Sequence, residues 1–219
     1  MKIYVTGSSG LVGSALVPRL RQEGHTVVRL VRRTPNEGEI RWYPEQGVVQ
    51  AHWIEDADAI VHLAGDNIAA GRWTDEKKRR LRDSRVKSTT ILSEAAAKMG
   101  TPPKVFVCAS AIGYYGDRGS EPLTESSAPG TGFLPDLCRD WEHATCSAAN
   151  AGVRVVNARI GVVLSRKGGA LRQMLLPFRL GLGGILGSGA QFFSWISLED
   201  LVNSLLCCLA TPEIGRAHV

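Results

Sequence analysis

Three glycines within the first thirteen residues constrain this chain more than anything that follows. Gly7, Gly10 and Gly13 stand at a spacing of three, directly after the short apolar run Lys2 to Thr6. Leu11, Val12, Ala15, Leu16 and Leu20 then recur at helical spacing, Gly24-His25 ends that run, and Thr26 to Val31 is apolar again. The pattern predicts strand, glycine turn, helix, strand: the first half of a nucleotide-binding βαβ unit. Gly7 is expected to allow the tight turn, Gly10 to let a diphosphate approach the backbone, and Gly13 to let the helix lie close on the sheet. Ser9, Gly10, Leu11 and Val12 then present backbone N–H groups at the positive end of the helix dipole, where phosphates are held. A glycine-rich turn with no ligand is the competing reading. The position of the triplet, between a strand and an amphipathic helix, speaks for the ligand.

The end of the second apolar run bears on which dinucleotide. NAD-binding folds of this kind usually carry an acidic residue there, bonded to a ribose hydroxyl. Here Arg32 and Arg33 occupy the place, with no Asp or Glu between Arg29 and Asn36. The planar fork of an arginine pairs with a 2′-phosphate, so the expected cofactor is NADP(H). A solvated basic turn is the alternative.

The remaining pattern alternates buried strands with helices. Asp58 to Gly65 reads as a strand running into a small-residue turn, Lys104 to Ala109 as another, and Arg154 to Ala158 as a third. A short strand is expected around Ile40 to Tyr43. Thr74 to Met99 is one long helical pattern with Thr74 as N-cap and Gly100, Pro102 and Pro103 as its stop. Phe133 to Ala149 reads as a helix, and Ala170 to Leu182 as one bent at Pro177. Gly183 to Gly189 is a glycine-rich loop, and Phe192 to Ile196 an aromatic strand. Ser197 caps a helix over Leu198 to Leu209, and a further strand is expected after Gly215. The predicted class is α/β, a doubly wound, mostly parallel sheet forming one domain over residues 1–219, with substrate-side elements from about 165–197.

Composition narrows the function classes. A net charge of +5 comes without a long basic run. The densest cluster, Lys77 to Arg80, is surrounded by Asp75, Glu76 and Asp83 and reads as a solvated helix face, not a nucleic-acid surface. The five cysteines include no C-x-x-C pair, so neither a metal site nor a disulfide framework is expected. With no leader and no apolar stretch of membrane-spanning length, the expectation is a soluble, cytoplasmic protein acting on a small molecule. An oligomer stays open.

The glycine spacing G-x-x-G-x-x-G resembles the short-chain dehydrogenase/reductase superfamily. Leu63, Ala64 and Gly65 match its H-x-A-[AG] turn beside the adenosine. Ser110, followed by Tyr114, Tyr115 and Gly116, resembles the strand-end Ser and Tyr-Gly of its extended members. The resemblance implies that Ser110 and Tyr114 or Tyr115 polarise a substrate at the nicotinamide. The superfamily's usual Tyr-x-x-x-Lys pair is missing: no Tyr or Lys occurs from Asp117 to Leu164, and the two positions fall on Leu134 and Cys138. Cys138 reads as a small buried hydrophobe and Glu142 as a salt-bridge or cap residue. These departures, with HLAG-Asp66-Asn67-Ile68, Arg72-Trp73, Ser84-Arg85, Trp141-Glu142 and the stretch Met174 to Ile196, resemble the atypical "epimerase family proteins" of the NAD-dependent epimerase/dehydratase type. That resemblance implies that Arg32, Leu63, Ala64, Arg85 and Val162 line an NADP(H) site. It also implies that a C-terminal part closing the substrate side lies beyond Val219. The function expected is an NADP(H)-dependent oxidoreductase or epimerase; the alternative is a catalytically silent NADPH-binding regulator or sensor.

Overall fold

The computed structural model describes residues 1–46, 54–185, 187–212 and 216–218. Part of the irregular stretch read between Thr34 and Glu55, Leu186 of the glycine-rich loop, and Gly215 lie outside those residues. In chain order the strands are β1 (Lys2–Thr6), β2 (Thr26–Val31), β3 (Glu39–Arg41), β4 (Ala59–His62), β5 (Val105–Ala111), β6 (Arg154–Ile160), β7 (Val162–Ser165), β8 (Trp195–Ser197) and β9 (Arg216–His218). The helices are α1 (Leu11–Gln22), α2 (Asp75–Ala97), α3 (Phe133–His143), α4 (Cys146–Asn150), α5 (Gly169–Arg179) and α6 (Leu198–Ala210).

Seven strands make one sheet in the order β3-β2-β1-β4-β5-β6-β9, parallel at every pairing. The alternation of side chains along each strand sorts the core into two layers. Ile3, Val5, Ala59, Val61, Val105, Val107, Val156 and Ala158 pack with Leu16 and Leu20 of α1 and Leu201 and Leu205 of α6. Tyr4, Val28, Leu30, Ile60, Phe106 and Cys108 pack with Leu92, Ala95 and Ala96 of α2, Trp141 of α3 and Ala148 of α4. A parallel sheet covered on both faces needs such continuous apolar runs, and the expected doubly wound architecture follows.

The chain leaves β1 towards β2 and β3, then returns to β4 on the other side of β1. The carboxyl ends of β1 and β4 therefore diverge into the crevice that a doubly wound sheet offers a ligand.

Some expectations need correction. The helix expected over Phe133 to Ala149 is two, because the Thr145 hydroxyl donates to the Glu142 carbonyl at 2.6 Å and breaks the run. The aromatic strand shrinks to Trp195–Ser197, and Phe192 and Phe193 are exposed ahead of it. It pairs with β7 in a separate two-stranded sheet. Helix α5 keeps Pro177 inside it but ends at Arg179. Lys77 is not on a solvated face: it is 3 % exposed, one turn in from the Thr74 cap. Along α5 and the loop after it, Leu176, Phe178, Leu180, Leu182 and Ile185 are exposed.

Candidate functional site

The glycine turn is built by close backbone approach. Gly7 sits at φ +65°, and a Cβ there would lie 2.6 Å from the Leu63 carbonyl carbon and 2.8 Å from the Ala64 nitrogen. A Cβ at Gly13 would lie 2.3 Å from the Gly7 oxygen and 2.6 Å from Ser8 Cα. At Gly13 helix α1 is thus seated directly on the turn, and Leu16 and Leu20 further along it pack against the sheet. Gly10 is different. Its nearest neighbour would be the Gly7 oxygen at 3.3 Å, it is exposed, and it caps α1 with no side-chain hydrogen bond. Two glycines are demanded by the protein's own atoms; the third opens to solvent at the helix N-terminus. Ser9 is exposed beside it, and Leu11 and Val12 are half-buried behind it.

A buried polar relay locks the two diverging strand ends. Thr6 Oγ1 accepts from the Leu63 and Ala64 amides, both at 3.2 Å, and lies 2.7 Å from His62 Nδ1. His62 Nε2 lies 3.2 Å from Ser88 Oγ, which donates to the Ser84 carbonyl at 2.7 Å. One assignment satisfies every member: Thr6 donates to Nδ1, and Nε2–H donates to Ser88. Full burial pushes the imidazole down to about 3, so it stays neutral. The relay fixes Leu63 and Ala64 against Gly7.

The basic residues at the end of β2 divide their work. Arg29 donates through Nε to Ser8 Oγ at 3.0 Å and pairs with Glu39 at 3.0 Å, bracing the turn from behind. Arg33 pairs with the same Glu39 at 2.7 Å and donates to the Thr34 carbonyl. The Arg33 hydrogen bond holds the Glu39 carboxyl below its ordinary range, with the Asn36 amide adding to the effect. Arg32 has only a loose, solvent-exposed pairing with Glu45 at 3.6 Å. Of the two arginines singled out by the sequence, Arg32 is therefore the available one.

Beyond β4, Gly65 faces the Arg85 guanidinium, 3.3 Å from the position of an added Cβ. Arg85 donates to the Asp66 and Leu81 carbonyls and lies 5.1 Å over the Trp141 ring. Burial pulls its pKa down from the usual guanidinium value. Lys77 completes the turn, donating to the Asp66 carboxylate at 2.8 Å and to the Asn67 carbonyl at 2.6 Å. Its hydrogen bond lowers the Asp66 pKa, with nearby charge acting in the same sense.

The candidate catalytic residues converge on one buried ion pair. Ser110, near the end of β5, donates to Glu142 Oε1 at 2.8 Å. Arg159, its register partner on β6, donates to both Glu142 oxygens at 2.8 and 2.9 Å. Arg159 is fully buried; it also donates to the Tyr115 hydroxyl and to the Glu125 carbonyl at 3.0 Å. The guanidinium carbon stands over the Tyr114 ring, 3.6 Å from its centroid. Burial raises the Tyr115 phenol, and Arg159 opposes that only in part. Cys138 is buried, and burial raises its thiol to about 11. That suits a small apolar residue and not a substitute for lysine. Glu142 is the salt-bridge residue the sequence suggested. Val162 begins β7 half-buried, its amide donating to the Ser194 carbonyl at 2.9 Å.

Sequence reasoning missed Arg29, Thr6 and Lys77. A single charge inside the apolar run of β2 was the signal for Arg29; nothing local marked the other two. No cluster of metal-ligating side chains exists among the described residues, and no described helix is long and apolar enough to cross a membrane.

A parallel sheet with a glycine turn at its switch point and an open helix N-terminus defines an α/β domain of Rossmann type. The chain belongs to the NAD dependent epimerase/dehydratase family, whose model matches residues 3–219. It is 50% identical over 214 residues to the Epimerase family protein Mb2239 of Mycobacterium bovis, covering 97% of this chain and 70% of that one. The human epimerase family protein SDR39U1 (isoform2), solved with NADPH, is 36% identical with a TM-score of 0.90, over all of this chain and 73% of that one. A nucleoside-diphosphate sugar epimerase from Corynebacterium glutamicum is 40% identical with a TM-score of 0.88. This chain spans 99% of its own length but 45% of that protein's.

Proposed function

We propose that this chain binds NADP(H) along the turn from Gly7 to Gly13 and serves an oxidoreductase or epimerase acting on a small polar, sugar-like molecule. The observation that carries the reading is Gly10: the only member of the triplet whose bare backbone faces outward, at an uncapped helix start. Leu63, Ala64, Gly65 and Arg85 would flank the adenosine half, Val162 the nicotinamide half, and Arg32 the 2′-phosphate. The human relative solved with NADPH supports that choice of cofactor. Residues 1–219 would act as one unit, with residues from about 165 to 197 on the substrate side. Ser110 and Tyr114 or Tyr115 would contact the substrate.

A second reading is favoured by one specific observation. Ser110 and Tyr115 are engaged with the Glu142–Arg159 pair, and the Tyr-x-x-x-Lys engine is absent. A silent NADPH sensor would look the same. Fluorescence titration with NADPH and NADH, in wild type and Arg32→Ala, tests the cofactor. Loss of one charge-assisted phosphate contact should cost NADPH about ten- to hundredfold in affinity and leave NADH unchanged. Equal affinities for the two in wild type would remove the assignment. Turnover with any carbonyl or alcohol of a broad panel separates the enzyme from the sensor.

A further inference from the structure

The hydroxyl of Ser110 has one proton, and its surroundings decide where that proton points. Glu142 has only acceptors to offer within its ion pair. Arg159 donates to both of its oxygens, so the carboxylate has no freedom to turn. Arg159 is itself held by the Tyr115 hydroxyl, the Glu125 carbonyl and the Tyr114 ring. Ser110 therefore spends its proton on Glu142, at 2.8 Å, and keeps only lone pairs for anything else.

We infer that Glu142 is a positioning residue that makes Ser110 a hydrogen-bond acceptor, so that the site is built to receive a ligand hydroxyl beside the oxidised cofactor in preference to a carbonyl beside the reduced one. This rests on the assignment of Ser110 to the substrate under the proposed function. A carbonyl brought to Ser110 sets acceptor against acceptor, and one of the two must stay unsatisfied. A hydroxyl donates to Oγ without disturbing the pair. Specificity built on hydrogen-bond polarity is strong because the mismatched partner leaves a buried group unpaired. The proton orientation is inherited from β6 and α3, two elements that need not touch the ligand.

Ligand-observed NMR on the NADP⁺-saturated chain tests this with matched probes: cyclohexanol against cyclohexanone, and glycerol against dihydroxyacetone. The alcohol of each pair should bind about tenfold or more tightly than the ketone in wild type. Ser110→Ala leaves the ion pair intact and should bring that ratio to about one. Glu142→Leu combined with Arg159→Met removes the acceptor together with its counter-ion, frees the Ser110 proton and should shift the ratio towards the ketone. Neutron diffraction from a deuterium-exchanged crystal should place the Ser110 deuteron on the line to Glu142, which settles the polarity even where the double variant folds poorly. A wild-type ratio near one, a ratio unmoved by Ser110→Ala, or a deuteron directed away from Glu142 each overturns the inference. NADPH affinity is measured on the same samples, and its absence in wild type would instead remove the cofactor reading.

Discussion

Replacing Gly10 and Gly13 separately by alanine should divide binding from folding. At Gly13 the new methyl would stand 2.3 Å from the Gly7 oxygen and 2.6 Å from Ser8 Cα. Neither can retreat, because Gly7 is already pressed on the Leu63–Ala64 backbone. Overpacking a core costs about 1–3 kcal/mol, and a clash between backbones belongs at the upper end. For a chain of this size each kcal/mol is worth roughly 2–4 °C, so Gly13→Ala should melt about 6–12 °C lower. At Gly10 the methyl meets only the Gly7 oxygen, at 3.3 Å, and points to solvent. The fold should lose no more than about 1 kcal/mol, the cost of a poorer N-cap. The diphosphate, however, would be held off the helix amides. Loss of one or two charge-assisted hydrogen bonds weakens NADPH by about ten- to a thousandfold. Circular dichroism melts and NADPH fluorescence titrations on the two variants read both numbers. A Gly10→Ala protein that melts like wild type and binds NADPH equally well would refute the claim that this position is open for a ligand. A Gly13→Ala protein with an unchanged melt would refute the packing argument.

Three further outcomes follow from the geometry. Arg159→Met leaves Glu142 buried without its partner and should cost about 3–5 kcal/mol in a denaturant melt, while Glu142→Leu with Arg159→Met recovers most of it; a double variant as unstable as the two single losses combined would count against that. His62 has its folded pKa depressed to about 3, below its unfolded value. The unfolded chain therefore binds the extra proton first, and stability present above about pH 6.5 is lost as pH falls towards 3. His62→Asn should flatten that acid limb, and an identical slope would exclude the relay as its source. Cys207 is exposed and Cys146 half-exposed, whereas Cys108, Cys138 and Cys208 are buried. Burial raises Cys108 to about 12 and Cys138 to about 11, so a disulfide reagent at neutral pH should label Cys207 and Cys146 quickly and the other three only on unfolding.

How far the sequence announced all this depends on the range of each interaction. β1, α1 and β2 were legible because a doubly covered strand and an amphipathic helix print their periods locally, and the glycine turn sits between them. The caps at Thr74 and Ser197 were legible for the same reason, each bonding an amide three residues on. The break at Thr145 was not, since a threonine inside a helical pattern does not announce that its hydroxyl will take the carbonyl three residues back. Lys77 looked like part of a solvated cluster because its partner, Asp66, lies in a preceding loop that only the fold brings back. Ser110 and Tyr115 were found by resemblance. Their capture by Glu142 and Arg159 was hidden, because each partner is far along the chain and a lone arginine in a strand does not declare its counter-ion.

Glu39 has a consequence of another kind. It stands on the outermost short strand and grips both Arg29, which steadies the loop at Ser8, and Arg33, next to the loosely paired Arg32. The rim of the sheet and the glycine turn are therefore mechanically one piece. Occupying the crevice should slow amide exchange along Glu39–Arg41, at the far border of the molecule, as surely as at the loop itself.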